Sequence, residues 1–395
     1  MGLRLLGGLT PAQFLKDYWQ KRPLLVRGAI PGFVDLVTRD ELSKLAAETE
    51  VASRLIMEHG AKRPWQLQHG PFTPTKLRRL PKTHWSLLVS NLEQKVEGAA
   101  LLLEQFNFIP SWRAEDIMVS FAPEHGSVGP HVDAYDVFLL QGLGRRRWGI
   151  AEDFDPRIKP DLDIRVLRQF SPEQEWVLDP GDLLYLPPRV AHYGVALEDC
   201  LTYSVGFRAP MRAELIEDLF KLPLSLYRLV CGVERYADPD LEVQANPGEI
   251  NAATLRRIQA IVAEPLTNEE MLGRWFGAFI TRPEVTVAKR RRPSAEQVRA
   301  LIREPRLCCG EQVRMAYYAG RSDQVYVFAG GDEMELPRSL LALVERLCLS
   351  RRFPGADLAH EIDRLGSRED QAAAFSLLSE LYARRALQRL CDHFP

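Results

Sequence analysis

DIMVSFAPEHGSVGPHVDAYDVFLLQGLGRRRWGI, residues 116–150, is the stretch that decides the fold. Short apolar runs, Ile117–Phe121, Tyr135–Gln141 and Arg146–Ile150, are separated by Gly- and Pro-containing turns, with Gly142-Leu143-Gly144 reading as a hairpin. The pattern continues through Trp176–Leu178, Leu183–Leu186 and Leu201–Phe207. Many short strands at such spacing predict an antiparallel barrel or jelly roll.

The same stretch carries chemistry. His131 and Asp133 are two residues apart, so a strand places both on one face. An isolated His-x-Asp recurs by chance, but a second half follows: Asp179-Pro180-Gly181-Asp182, the run Leu183–Leu186, Pro187-Pro188, then His192. Two neutral imidazoles and one carboxylate on one face of a metal leave three positions open. That set suits non-haem Fe(II), which must take a cosubstrate and O2 together, whereas a closed zinc site takes four protein ligands. After the hairpin, Arg146 alternates with Arg145 and Arg147, so a strand points it to the opposite face. An inward guanidinium is suited to bidentate binding of a carboxylate. Asp116, Met118 and Ser120 also share one face of their strand; periodicity leaves open whether that face meets the pocket or the solvent.

Outward from this segment the pattern changes. Residues 10–49 read as helix, turn, strand, helix, with Pro11 after Thr10 as a helix start and Leu24–Val26 as the strand. Beyond Pro210, helical periodicity runs over Ala213–Val230 and Ala252–Phe276, with Pro223 and Pro265 expected to break or kink them. The basic run Lys289–Arg292 reads as a solvated connector. After it, a helix over Ala295–Arg303 and strands over Arg314–Tyr318 and Gln324–Phe328, then mostly helical sequence, make a small α+β domain of winged-helix type. It shows neither a dense basic face nor a polar recognition helix, which favours a structural or docking role and leaves nucleic-acid binding open.

Of the 395 residues, 46% are hydrophobic and 26% charged, with a net charge of −2; this is the balance of a globular chain of two or three domains without a general pull toward nucleic acid. No apolar segment is long enough for a membrane span and no signal peptide is expected. The six cysteines contain no Cys-x-x-Cys pair, so thiols in a reducing cytosol are expected rather than zinc clips or disulfides.

Taken together, Phe14-Leu15, Tyr18-Trp19, Lys21–Val26, His131-Val132-Asp133, Gln141–Trp148, Gly181–His192 and Tyr203–Phe207 resemble the bacterial ribosomal oxygenases of the JmjC class, along nearly the whole chain. The resemblance implies a mixed α+β protein with a double-stranded β-helix (cupin) catalytic domain over 1–210, a helical dimerisation segment over 211–285 and a winged-helix domain over 294–395. It implies Fe(II) on His131, Asp133 and His192, and 2-oxoglutarate on Arg146 with Ser120 as a second contact, O2 being the oxidant. It places Ser204 near the substrate. Asp116, Met118 and Tyr135 are the candidate contacts for a substrate guanidinium. The implied enzyme is a cytoplasmic homodimer that hydroxylates an arginine of large-subunit ribosomal protein sixteen. Two other readings are a hydroxylase of ribosomal histidine and a ligand-sensing cupin that binds nucleic acid through its winged helix.

Overall fold

The structure is a computed structural model, and it describes residues 2–58, 65–208, 210–222, 236–237, 250, 252–283, 287–310, 312–321 and 323–389. It divides into two compact units, Met1–Ala209 and Pro210–His393.

Among the described residues the first unit contains twelve strands: β1 (Leu24–Val26), β2 (Ser53–Glu58), β3 (Trp65–His69), β4 (Trp85–Val89), β5 (Ala114–Ala122), β6 (His131–Val132), β7 (Asp136–Gln141), β8 (Arg146–Ala151), β9 (Gln174–Leu178), β10 (Leu183–Leu186), β11 (Ala191–Ala196) and β12 (Cys200–Phe207). They form an eight-stranded sheet, β1-β10-β7-β12-β5-β4-β2-β3, and a four-stranded sheet, β6-β11-β8-β9, all antiparallel. Each run expected from the sequence is a strand, and the barrel gains β2 to β4, β6 and β11 besides.

The period-two alternation divides the large sheet's residues cleanly. Ile117, Val119, Phe121, Phe138, Leu140, Tyr185, Tyr203, Val205 and Phe207 bury themselves in the main core with Phe14, Leu42, Leu102 and Phe106. The helix Pro11–Asp17 supplies Phe14, and Thr10 starts it with a full capping box to Gln13. Phe14 lies 5.0 Å from the Tyr185 ring and 5.5 Å from Phe138. Within this core Asp136 is fully buried; it accepts from the Tyr185 hydroxyl (2.6 Å), Gln20 Nε2 (2.9 Å) and Arg113 Nη2 (3.2 Å). Burial still pushes its carboxyl above the ordinary aspartate value. The opposite residues of the same strands, Val137, Leu139, Leu184 and Leu186, pack with Trp148, Ile150 and Leu178 of the small sheet. The inner face is therefore apolar at one part and free to carry polar side chains at another.

The second unit opens with the helix Arg212–Phe220, which ends ahead of Pro223. The expected continuation to Val230, the link after it, and Cys231 and Cys391 lie outside the described residues. The helical stretch expected over Ala252–Phe276 is two helices, Ala252–Thr267 and Glu269–Thr281. The break falls at Asn268, whose side chain accepts from Met271 N–H and starts the second helix. Pro265 lies inside the first of these helices, three residues before the break at Asn268. Helix Glu269–Thr281 packs on a three-stranded sheet, β14 (Met315–Tyr318), β15 (Gln324–Ala329) and β16 (Asp332–Pro337). Its Gly277 lets Phe328 approach so closely that a Cβ there would lie 2.2 Å from the ring.

Helices Ala295–Leu301, Leu341–Leu349, Gly355–Asp363 and Arg368–Ala383 complete this unit with a second sheet. Its strands are β17 (Arg352–Phe353), β13 (Leu307–Cys309) and β18 (Leu387–Arg389). Helices and both sheets share one core. The basic run is largely exposed, as expected of a solvated connector, and its side chains make surface pairs: Lys289 with Asp332 at 3.0 Å, Arg292 with Glu380, and Arg290 over the Tyr382 ring. Cys200, Cys308, Cys309 and Cys348 form no disulfide. Among the described residues no helix is long and apolar enough to cross a membrane.

Candidate metal and cosubstrate centre

β6 and β11 pair so that His131 stands directly opposite His192. Their rings are 4.2 Å apart, and Asp133 follows at the end of β6. His192 Nε2 lies 3.6 Å from one Asp133 oxygen and His131 Nε2 3.9 Å from the other. Among the described residues this is the one group of three or more His, Cys, Asp or Glu side chains that could hold a metal, its donor atoms all within 4.8 Å of one another. A divalent first-row ion bonds nitrogen and oxygen at about 2.1 Å, so neighbouring ligand atoms lie about 3 Å apart around it.

The imidazoles are prepared for this. His131 Nδ1 donates to Gly129 O at 2.9 Å and His192 Nδ1 to Val190 O at 3.0 Å. A carbonyl can only accept, so each Nδ1 carries a proton and each Nε2 is turned toward Asp133. Burial, reinforced by His131 nearby and opposed by Asp133, holds His192 down at about 4, so it is neutral at physiological pH. The backbone supports the triad as well: Arg189 N–H donates to Asp133 O at 2.9 Å from a left-handed backbone at φ 70°. Gly194, opposite Trp148, has no room for a side chain, because a Cβ would meet the indole at 2.7 Å.

The fully buried Arg146 reaches from β8 across to the large sheet. Its Nη1 donates to Ser120 Oγ and Thr202 Oγ1, both at 3.2 Å, and Nη2 to Gly194 O at 3.4 Å. Nε has no partner, and no carboxylate of the described residues pairs with the guanidinium. Burial lowers its pKa from the usual arginine value. Arg145 and Arg147 point outward, to Glu198 at 3.0 Å and Glu175 at 4.0 Å. A buried cation with only neutral acceptors is costly unless an anion joins it. The donor set therefore fits a dicarboxylate that reaches the metal at its other end.

The face bearing Asp116, Met118 and Ser120 is the inner one, since Ser120 meets Arg146 while Ile117, Val119 and Phe121 enter the outer core. Ser204 stands opposite Met118. Arg54 crosses from β2 to donate to Met118 Sδ at 3.2 Å, and Asp116 accepts from Asn91 N–H at 3.2 Å. Tyr135 is 41% exposed beside the triad; burial of its hydroxyl, with Asp133 and Asp116 near, pushes its pKa up. Sequence reading passed over Thr202 and Gln141. The available signal was polar residues inside apolar strand runs at positions in phase with the inner face.

The JmjC domain family matches residues 101–215, and the ROXA-like winged helix family matches residues 264–388. The ribosomal protein uL16 3-hydroxylase of Escherichia coli is 39% identical over 278 residues, which span 70% of this chain and 73% of that protein. A probable ribosomal oxygenase of Haemophilus influenzae is 43% identical over 54% of this chain and 53% of its own length. The structure of the Escherichia coli ribosomal oxygenase YcfD in complex with cobalt and 2-oxoglutarate superposes with a TM-score of 0.80 at 31% identity, covering 96% of this chain and 98% of that one. Fold, paired domains and identity over most of a curated relative agree, and the chain belongs to the JmjC-domain ribosomal oxygenases.

Proposed function

We propose that this chain is an Fe(II)- and 2-oxoglutarate-dependent hydroxylase that acts on an arginine side chain of ribosomal protein uL16. The observation that carries this reading is the His131, Asp133 and His192 cluster in one barrel with the carboxylate-free, buried Arg146. The relatives that act on uL16 or bind 2-oxoglutarate support it. Fe(II), when bound, couples oxidative decarboxylation of 2-oxoglutarate by O2 to insertion of one oxygen atom into a substrate C–H bond, leaving succinate and CO2.

The chain's own residues do the rest. His131, Asp133 and His192 hold the metal through two Nε2 atoms and a carboxylate. Arg146, with Ser120 beside it, takes the distal carboxylate of the cosubstrate. The inter-sheet cluster around Trp148 and Ile150 keeps that part of the barrel dry, which strengthens the charge pairing. Asp116, Met118, Tyr135 and Ser204 contact the substrate, Asp116 as the carboxylate for a guanidinium and Tyr135 as aromatic surface. The test is incubation with Fe(II), 2-oxoglutarate and ribosomal proteins. A gain of roughly 16 Da, one oxygen atom, is expected on a uL16 arginine. Oxidation of a ribosomal histidine instead would select the histidine-hydroxylase reading, and tight salt-dependent duplex binding without succinate release would favour the regulator reading.

The domain reading is 1–210 catalytic, 211–285 helical and 294–395 winged helix, in a cytoplasmic homodimer formed through the helices. Met211, Ile216 and Phe220, and then Leu255, Ile258 and Val262 at helical spacing, are exposed apolar residues of that segment. A paired helix face would cover them. Sedimentation should give a dimer for the wild type and a monomer for the Leu255→Asp, Ile258→Asp double variant. A wild-type monomer at micromolar concentration would remove the dimer from this reading.

A further inference from the structure

Three polar side chains stand in register across the inner face of the large sheet: Gln141 on β7, Thr202 on β12 and Ser120 on β5. All three are buried, and Gln141 is completely so. Gln141 Nε2 donates to Leu143 O (3.0 Å), Gly144 O (3.1 Å) and Leu201 O (3.1 Å). These carbonyls fix the orientation of the amide, because the reverse orientation would set its oxygen against three acceptors. Gln141 Oε1 therefore faces Thr202 and can only accept, so the Thr202 hydroxyl proton goes to it at 3.2 Å. With its one proton committed, Thr202 must turn a lone pair toward Arg146 Nη1.

Every bond in this chain points the same way: Arg146 to Thr202, Thr202 to Gln141, Gln141 to carbonyls of the β7–β8 turn and of β12. The relay contains no charge. It steadies the buried guanidinium with oriented dipoles, as preorganised polar sites do, yet leaves its full charge for an incoming anion. The turn that Gln141 ties down, Leu143-Gly144, is the one from which Arg146 departs, so the same amide sets both the backbone origin and the far end of the arginine side chain.

We propose that Gln141, acting through Thr202, is the positioning residue that presents Arg146 to the distal carboxylate of the cosubstrate. The proposal rests on the reading of Arg146 as the 2-oxoglutarate anchor. It predicts that Thr202→Val, which keeps the shape and removes the hydroxyl, weakens 2-oxoglutarate binding roughly ten-fold, the size of one hydrogen bond to a charged group. Thr202→Ser should bind like the wild type. Gln141→Leu should weaken binding about three- to ten-fold. Its loss leaves Leu143 O and Leu201 O still bonded, to Leu201 N–H and Gly142 N–H, so the turn survives.

The experiment is calorimetric titration of the manganese-loaded full chain with 2-oxoglutarate and, separately, with oxalate. Oxalate chelates a metal but has no distal carboxylate for the anchor. Lost 2-oxoglutarate affinity with unchanged oxalate affinity, in Thr202→Val and Gln141→Leu but not Thr202→Ser, is the expected result. Equal loss for both ligands would mean general damage and overturn the positioning role, as would unchanged 2-oxoglutarate affinity in both variants. An Arg146→Leu chain that keeps the wild-type 2-oxoglutarate affinity would overturn the anchor reading itself, and this proposal with it.

Discussion

Asp133→Ala is expected to lower 2-oxoglutarate turnover by roughly a thousand-fold or more, since a bound metal supplies several kcal/mol of the catalysis. The loss should come from the metal. Asp133 is the one carboxylate of the cluster, with each of its oxygens turned to one imidazole. Without it, two neutral nitrogens remain to hold a doubly charged ion. The fold should survive, because Asp133 keeps 21% of its side chain exposed and follows a two-residue strand rather than sitting in a core. His192→Ala is expected to have the same effect on turnover, though its side chain is buried and some stability goes with it. The measurements are succinate release, metal affinity by calorimetry and far-ultraviolet circular dichroism. Full turnover by Asp133→Ala would remove the triad from the proposed function.

For Arg146→Leu the expected outcome has two opposite signs. Affinity for 2-oxoglutarate should fall about a hundred-fold, the cost of losing a buried charge-assisted pair. Stability of the ligand-free chain should not fall with it. The wild type buries a guanidinium among neutral acceptors with its Nε unpartnered, and an apolar replacement removes that desolvation cost. The change does leave the Thr202 and Ser120 hydroxyls with one partner fewer, which offsets part of the gain. Calorimetric titration and thermal melting of the same sample read both signs. Unchanged 2-oxoglutarate affinity would show that another residue holds the carboxylate; a large drop in melting temperature would show that Arg146 is structural.

The catalytic segment was legible in the sequence because its strands are short apolar runs set off by Gly- and Pro-containing turns. Ile117–Phe121, Tyr135–Gln141 and Leu201–Phe207 each send one set of residues to an aromatic core and the other to the inner face. A period of two also separates Arg146 from Arg145 and Arg147. One of the strands that escaped reading has weak β preference. Ala191–Ala196 contains two alanines and a glycine, and it is a strand because β6 and β8 pair with it on both sides. In the helical segment, an asparagine cap outweighed the apolar periodicity and divided one expected helix into two.

By itself, then, the sequence determined the composition of the centre: His131, Asp133 and His192 as metal-type donors, a guanidinium beyond the hairpin, and the barrel to hold them. Those are local properties, set by residue type and by spacing along one strand. Only the tertiary structure decided that His131 faces His192, since register between strands distant in the chain is fixed by packing on both faces of a sheet. Only it decided that Arg146 is the inward arginine and has no acid of its own. Gln141 and Thr202 became part of the centre for the same reason: their partners lie on other strands, and no interval in the sequence records a hydrogen bond across a barrel.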